Sequence, residues 1–162
     1  FAELPPWHDL KIFDELAERG WNFVVESWAY HPPKPLDLRD VSDPLERIAK
    51  QTYQWFTGYY KDAWESREYM GYFAYPYLEF ARDYQVDGAF LHPLLSCRTA
   101  TNHLMMVQDR LLGKLQIPSM VVEGDIVDLN AFDHDGALRK AEAFEEIMDN
   151  YKQLRKEAGM AW

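Results

Sequence analysis

The chain has a single cysteine, Cys97, set between Ser96 and Arg98. It follows an apolar run, Val86-Asp87-Gly88-Ala89-Phe90-Leu91-His92, and precedes a stretch with helical spacing that starts at Thr99. Backbone N–H groups and the positive end of a helix dipole at such a position favour a thiolate, and Arg98 adds a cation beside it. Three chemistries stay open for this thiol. It could be a packed small hydrophobe, a nucleophile served by His92 or His103, which are near in sequence, or a ligand to a metal or a cluster. A structural zinc site would want several Cys or His at short spacing. A cluster needs further cysteines, which this chain lacks.

Other residues carry weaker signals. Glu26-Ser27-Trp28-Ala29-Tyr30-His31 closes a second β-rich run. Glu123-Gly124-Asp125 closes a third, where it could hold a hydroxyl or an amide; a turn plus a helix cap is the plainer reading. Asp133-His134-Asp135 reads as a helix start, where acids complement the dipole, before it reads as a metal site. The sequence contains no glycine-rich phosphate loop, no G-x-S-x-G and no H-E-x-x-H.

The elements that must position these residues alternate. Pro5-Pro6-Trp7 opens a helix running to Arg19, with Gly20 where a C-terminal cap belongs. Trp21 to Ser27 reads as a strand, and His31-Pro32-Pro33-Lys34-Pro35 as a loop. Ser42-Asp43-Pro44 starts a second helical region reaching Tyr84, with a break around Gly58 to Trp64 and a kink or interruption at Pro76. That region is loaded with aromatics, among them Trp55, Phe56, Tyr69, Tyr72 and Phe73. Two helices packed on each other account for such a stripe, and so does a wall beside a ligand or partner. Strands at Val86–His92 and Ile117–Val122 then alternate with helices over Thr99–Leu115 and Asp133–Ala158, the last with an ordinary solvated face. Strand–helix–strand–helix order predicts βαβ units. The expected fold is α/β: a Rossmann-like parallel sheet layered with helices, plus an inserted aromatic-rich helix pair at about 43–84. In such sheets ligands gather outside the carboxyl ends of the strands, which is where all three candidate runs end.

Composition narrows the function. With Lys+Arg 17 against Asp+Glu 27, the 162 residues carry a formal net charge of −10, which argues against nucleic-acid binding. Hydrophobic residues at 48% and charged residues at 27% are ordinary globular values, and the length suits one domain. No apolar run approaches the ~18 residues of a membrane helix, and Phe1 to Pro6 has no signal-peptide character. One cysteine excludes an internal disulfide, which leaves a cytoplasmic location as the expectation.

The run Val86 to His92, then Ser96-Cys97-Arg98, then Leu112 to Asp125, resembles the C-terminal domain of the 2-hydroxyacyl-CoA dehydratase and benzoyl-CoA reductase family. The opening Pro5-Pro6-Trp7-His8 and the helix Leu138–Asp149 fit it as well, so the likeness covers nearly the whole chain through the order and spacing of its pieces. The resemblance implies that residues 1–162 form a single C-terminal α/β domain of a longer subunit. It implies an iron–sulfur enzyme in which Cys97 is one ligand of a 4Fe–4S cluster, the other ligands lying outside this chain. It also implies an acyl-CoA substrate, a homologous cluster-bearing subunit, an ATP-hydrolysing activator and a low-potential electron donor such as ferredoxin. Dearomatising reduction of benzoyl-CoA is the expected reaction, with dehydration of a 2-hydroxyacyl-CoA as the alternative and a non-catalytic interaction subunit as the rival class. On this reading Glu26, Ser27, Trp28, Ser96 and Arg98 contact substrate or tune the cluster. His31 or His92 delivers a proton, because histidine titrates near neutral pH; a loop histidine without chemistry is the plainer account of each.

Overall fold

The computed structural model describes residues 4–26, 37–53, 75–160 and 162. In chain order the elements are α1 (Lys11–Glu18), α2 (helical over 44–53), α3 (Tyr75–Asp83), β1 (Ala89–Leu91), α4 (Arg98–Thr101), α5 (Leu104–Leu115), β2 (Ser119–Val121) and α6 (His134–Glu157). The strands β1 and β2 pair in parallel, with Ala89 opposite Ser119, Phe90 opposite Met120 and Leu91 opposite Val121. Parallel neighbours need a crossover. The α5 helix supplies it, so residues 89–121 are the βαβ unit that the alternating pattern predicts.

Side chains alternate across a strand, and here that alternation sorts the core into two faces. Leu91 packs with Leu78 and Ala81 of α3 and with Leu104, Val107, Leu111 and Leu115 of α5. The spacing of those α5 residues puts them on one stripe of the helix. Phe90 and Met120 face the other way, onto Ile12 and Leu16 of α1 and Ala137, Ala141 and Phe144 of α6. Helices therefore cover both faces of the sheet. Each fully buried Leu, Ile or Phe contributes about 1.5–3 kcal/mol relative to exposure, so the two clusters are the main source of stability.

Helix ends follow the local chemistry. Gly20 adopts φ 96° after α1, the Gly20 N–H donates to Ala17 O (2.9 Å) and the Trp21 N–H to Leu16 O (3.0 Å), a glycine-capped end that a side chain would strain. Asp43 accepts from the Leu45 N–H at 2.8 Å, and Pro44 follows it in the first turn of α2. Asp133 caps α6 by accepting from the Gly136 N–H at 2.9 Å.

Three expectations change. The helix after Pro5 begins only at Lys11, since Asp9 N–H first closes a turn onto Pro6 O (2.8 Å). Residues 21–26 form no strand. Their aromatics are engaged by packing instead: Phe23 stands edge-on to Phe13 at 5.0 Å, and the Trp21 Nε1–H donates to Glu145 Oε1 at 2.8 Å. Strand propensity reports fit to a packed surface as much as to a ladder. The single helix expected from Thr99 is two, α4 and α5, because Thr101 Oγ1 donates to Leu94 O (2.8 Å) and draws the chain back toward the sheet. Pro76 lies at the start of α3, and the helical region expected before it, residues 54–74, lies outside the described residues. The aromatics at 55–73, and Ser27, Trp28 and His31, lie outside the described residues. Among the described residues, no helix is long and apolar enough to cross a membrane.

Candidate functional site

Beyond β1 and β2 the two chains stay together. Leu94 bridges to Gly124 in parallel, with the Leu95 N–H donating to Gly124 O (3.0 Å) and the Gly124 N–H donating to Pro93 O (3.2 Å). The loops after the strands are therefore extensions of the sheet. This is the carboxyl edge, the usual ligand side of an open parallel sheet.

Asp125 locks these loops to each other. Its Oδ2 accepts from the Ser96 N–H at 2.6 Å, and its Oδ1 accepts from Ser96 Oγ at 2.8 Å and from the Val127 N–H at 2.7 Å. The side chain is buried, with the residue 2% exposed. The Val127 N–H first, then the Ser96 hydroxyl, hold its pKa down to about 2, against the opposing effect of burial. The sequence offers this segment as a turn and cap or as a holder of a hydroxyl or an amide; in the fold Asp125 holds both groups of Ser96 and clamps one strand end to the other. The only sequence signal was an acid three residues past an apolar run, which many turns share.

Cys97 is half-buried and caps α4 with its backbone only. Its N–H donates to Leu94 O at 3.1 Å. Since α4 is a single turn, the dipole expected from a long helix is much reduced here. Ser96 and Arg98 flank it and are exposed. Leu95, 62% exposed, and Val127, 76% exposed, add an apolar rim. Four residues thus stand in one place, Ser96, Cys97, Arg98 and Asp125; the sequence offers all four as candidates, Asp125 only as the less plain reading of its turn.

The remaining candidates stand apart or elsewhere. His92 is 0% exposed. Its Nδ1 lies 2.7 Å from Leu4 O; a carbonyl only accepts, so Nδ1 carries the proton. The ring is edge-on to Phe132 at 5.8 Å, which makes His92 part of the wall beneath the loops. Glu26 is half-buried at the end of segment 21–26, which has no regular secondary structure. His134 faces Asp9, in the turn before α1, and Glu15 on α1, with Nδ1 to Asp9 Oδ2 at 2.7 Å and Nε2 to Glu15 Oε2 at 3.0 Å, and these carboxylates raise its pKa, Glu15 more than Asp9. A cavity of about 510 Å³ opens beside residues 84–88, at the amino edge of β1 and away from Cys97; Arg19, Trp21, Phe23, Glu145 and Met148 are among its lining.

A cluster asks for several thiolates. The chain has one, and among the described residues no group of three or more His, Cys, Asp or Glu is placed to hold a metal ion. The residues present fit one coordination position, not a closed site.

Fold and site together define an α/β domain with a thiol at the carboxyl edge of a parallel sheet. The family description 2-hydroxyglutaryl-CoA dehydratase, D-component, matches residues 1–148, and the chain belongs to that family. Such membership makes it a subunit of an acyl-CoA dehydratase-type enzyme, one component of a hetero-oligomer. Neither the search of curated proteins nor that of solved structures gave a match.

Proposed function

We propose that this chain serves an iron–sulfur enzyme that eliminates water from a 2-hydroxyacyl-CoA, and that Cys97 supplies one ligand to its 4Fe–4S cluster. The observation that carries the reading is the family match over 148 residues, whose description names a dehydratase; the half-buried thiol at the strand carboxyl ends supports it. When bound, the cluster would supply a low-potential electron to the thioester. The chain's own residues do the rest. Cys97 anchors one corner. Arg98, exposed beside it, offers a cation to the thioester carbonyl or to coenzyme A phosphates, and Ser96 presents backbone and hydroxyl groups at the same edge. His92 and Phe132 close the floor and keep water out. The other ligands lie outside residues 1–162, and the activating ATPase and the electron donor are further partners.

Dearomatising reduction of benzoyl-CoA is the second reading, favoured by an aromatic content of 15%. The test uses the intact complex, purified anaerobically, with activator, ATP and reductant. Conversion of a 2-hydroxyacyl-CoA to an enoyl-CoA supports the proposal; a cyclic diene from benzoyl-CoA moves the protein to the reductase reaction. Replacing Cys97 with Ala should lower iron content and abolish turnover. Full iron retention in that variant would overturn the ligand assignment and favour a non-catalytic interaction subunit.

A further inference from the structure

Past Leu94 and Gly124 the backbone ladder ends, and the carboxylate of Asp125 takes its place. Its two oxygens engage the N–H and the hydroxyl of Ser96 at 2.6 and 2.8 Å, while the Val127 N–H, at 2.7 Å, and the Asp128 N–H, at 3.4 Å, hold the carboxylate from its own loop. Leu94 O accepts from the Cys97 N–H and from Thr101 Oγ1. The Cys97 backbone is thereby tied at two points: through Ser96 to the loop after β2, and through its own N–H to Leu94 after β1. Asp125 is 2% exposed, so water does not compete for its oxygens, and a hydrogen bond to a buried charged acceptor is among the stronger ones. No other described contact joins residues 95–98 to the β2 side through a side chain.

We infer that Asp125 is the positioning residue for Cys97: by fixing Ser96 it sets the direction in which the thiol is presented at the sheet edge. The inference deepens the reading of Cys97 as a cluster ligand and rests on it for its consequence in the enzyme. Its geometric content, a thiol held in one orientation by a carboxylate in the loop after the neighbouring strand, is a property of this chain alone.

Asp125→Asn is the informative change. The amide has nearly the same shape, but whichever way its NH₂ group turns it faces a backbone N–H, that of Ser96 or that of Val127, and leaves that bond of the clamp unmade. The readout is the rate at which iodoacetamide alkylates Cys97 in metal-free protein under native conditions. Loosening the clamp should raise that rate about 5- to 30-fold. Arg155→Met, which acts at the opposite edge of the sheet, controls for general destabilisation and should leave the rate unchanged. In the intact complex, Asp125→Asn should retain iron while the electron-paramagnetic signal of the cluster shifts and kcat falls more than KM rises. Alkylation of Asp125→Asn at the rate of the native chain, or at the rate of an Arg155→Met variant of equal thermal stability, would overturn the inference. Iron content of Cys97→Ala judges the ligand assignment separately, so the two ideas fail independently.

Discussion

Replacing Gly124 with Ala probes the junction between the strands and the site loops. No positive φ is recorded for Gly124, so the backbone accepts a Cβ and only space decides the outcome. A methyl group there would overlap His92 Nε2 and come within 3.2 Å of both His92 Cε1 and Phe132 Cδ2. His92 has no room to yield. It is 0% exposed, bonded to Leu4 O at 2.7 Å and set edge-on against Phe132. Restoring ordinary contact needs a ring displacement on the order of 1 Å, which is enough to break the hydrogen bond to Leu4. Overpacking of this kind costs about 1–3 kcal/mol, and the lost bond adds roughly 1 kcal/mol. The expected loss is therefore about 2–4 kcal/mol, or a melting temperature lower by roughly 4–16 °C for a chain of this size. Thermal and urea unfolding measure it. A double-mutant cycle with His92→Ala sharpens the test, because a smaller side chain at 92 leaves space for the methyl. The cost of Gly124→Ala should then shrink by more than half. A loss under about 0.5 kcal/mol, the ordinary scale for a neutral surface change, or an undiminished loss in the His92→Ala background, would refute the steric argument.

Two further outcomes follow from buried or paired charges. Arg155 is 0% exposed and donates to Gln116 O at 3.1 Å and to Asp87 Oδ1 at 2.9 Å; Arg155→Met keeps the apolar stem and should cost about 1–3 kcal/mol in urea unfolding, with Arg155→Ala costing roughly 2 kcal/mol more for the lost methylenes. Stability unchanged in Arg155→Met would mean that desolvation of the guanidinium cancels its bonds. For His134, raised above its ordinary 6.5 by Glu15 and then Asp9, the contribution is complete below pH 6.5 and is lost as pH rises through the raised value. Glu15, lowered from 4.5 by Lys11 and then His134, contributes above pH 4.5 and fails as pH falls through its lowered value. Unfolding temperatures from pH 4 to 8 should show that window, and His134→Gln should remove its alkaline side.

What the sequence made legible was whatever short-range chemistry decides. The capped start of α6 at Asp133, the stop of α1 at Gly20, and the parallel order of β1, α5 and β2 are set by turn residues and by periodicity within a few residues of each other. What stayed hidden depends on partners far along the chain. Trp21 and Phe23 look like strand residues until Glu145 and Phe13 are brought against them. Arg155 reads as part of a solvated helix face, and only the approach of Asp87, 68 positions away, shows why a charge can be buried there.

The site divides in the same way. A thiol beside an arginine after an apolar run is visible to a reader of the sequence, because those residues are contiguous. The carboxylate that holds them is 29 positions downstream of Ser96, in a Glu-Gly-Asp segment that resembles any turn. Its role emerges only when the parallel register sets Leu94 beside Gly124. From that pairing Asp125, the next residue of one loop, falls within reach of Ser96, two residues on in the other. A glycine at 124 lets the His92 ring close in beneath them, while an aspartate at 125 meets both donors of Ser96. The two residues act on opposite sides of one junction: the glycine by leaving space for the floor, the carboxylate by tying down the rim that carries Cys97.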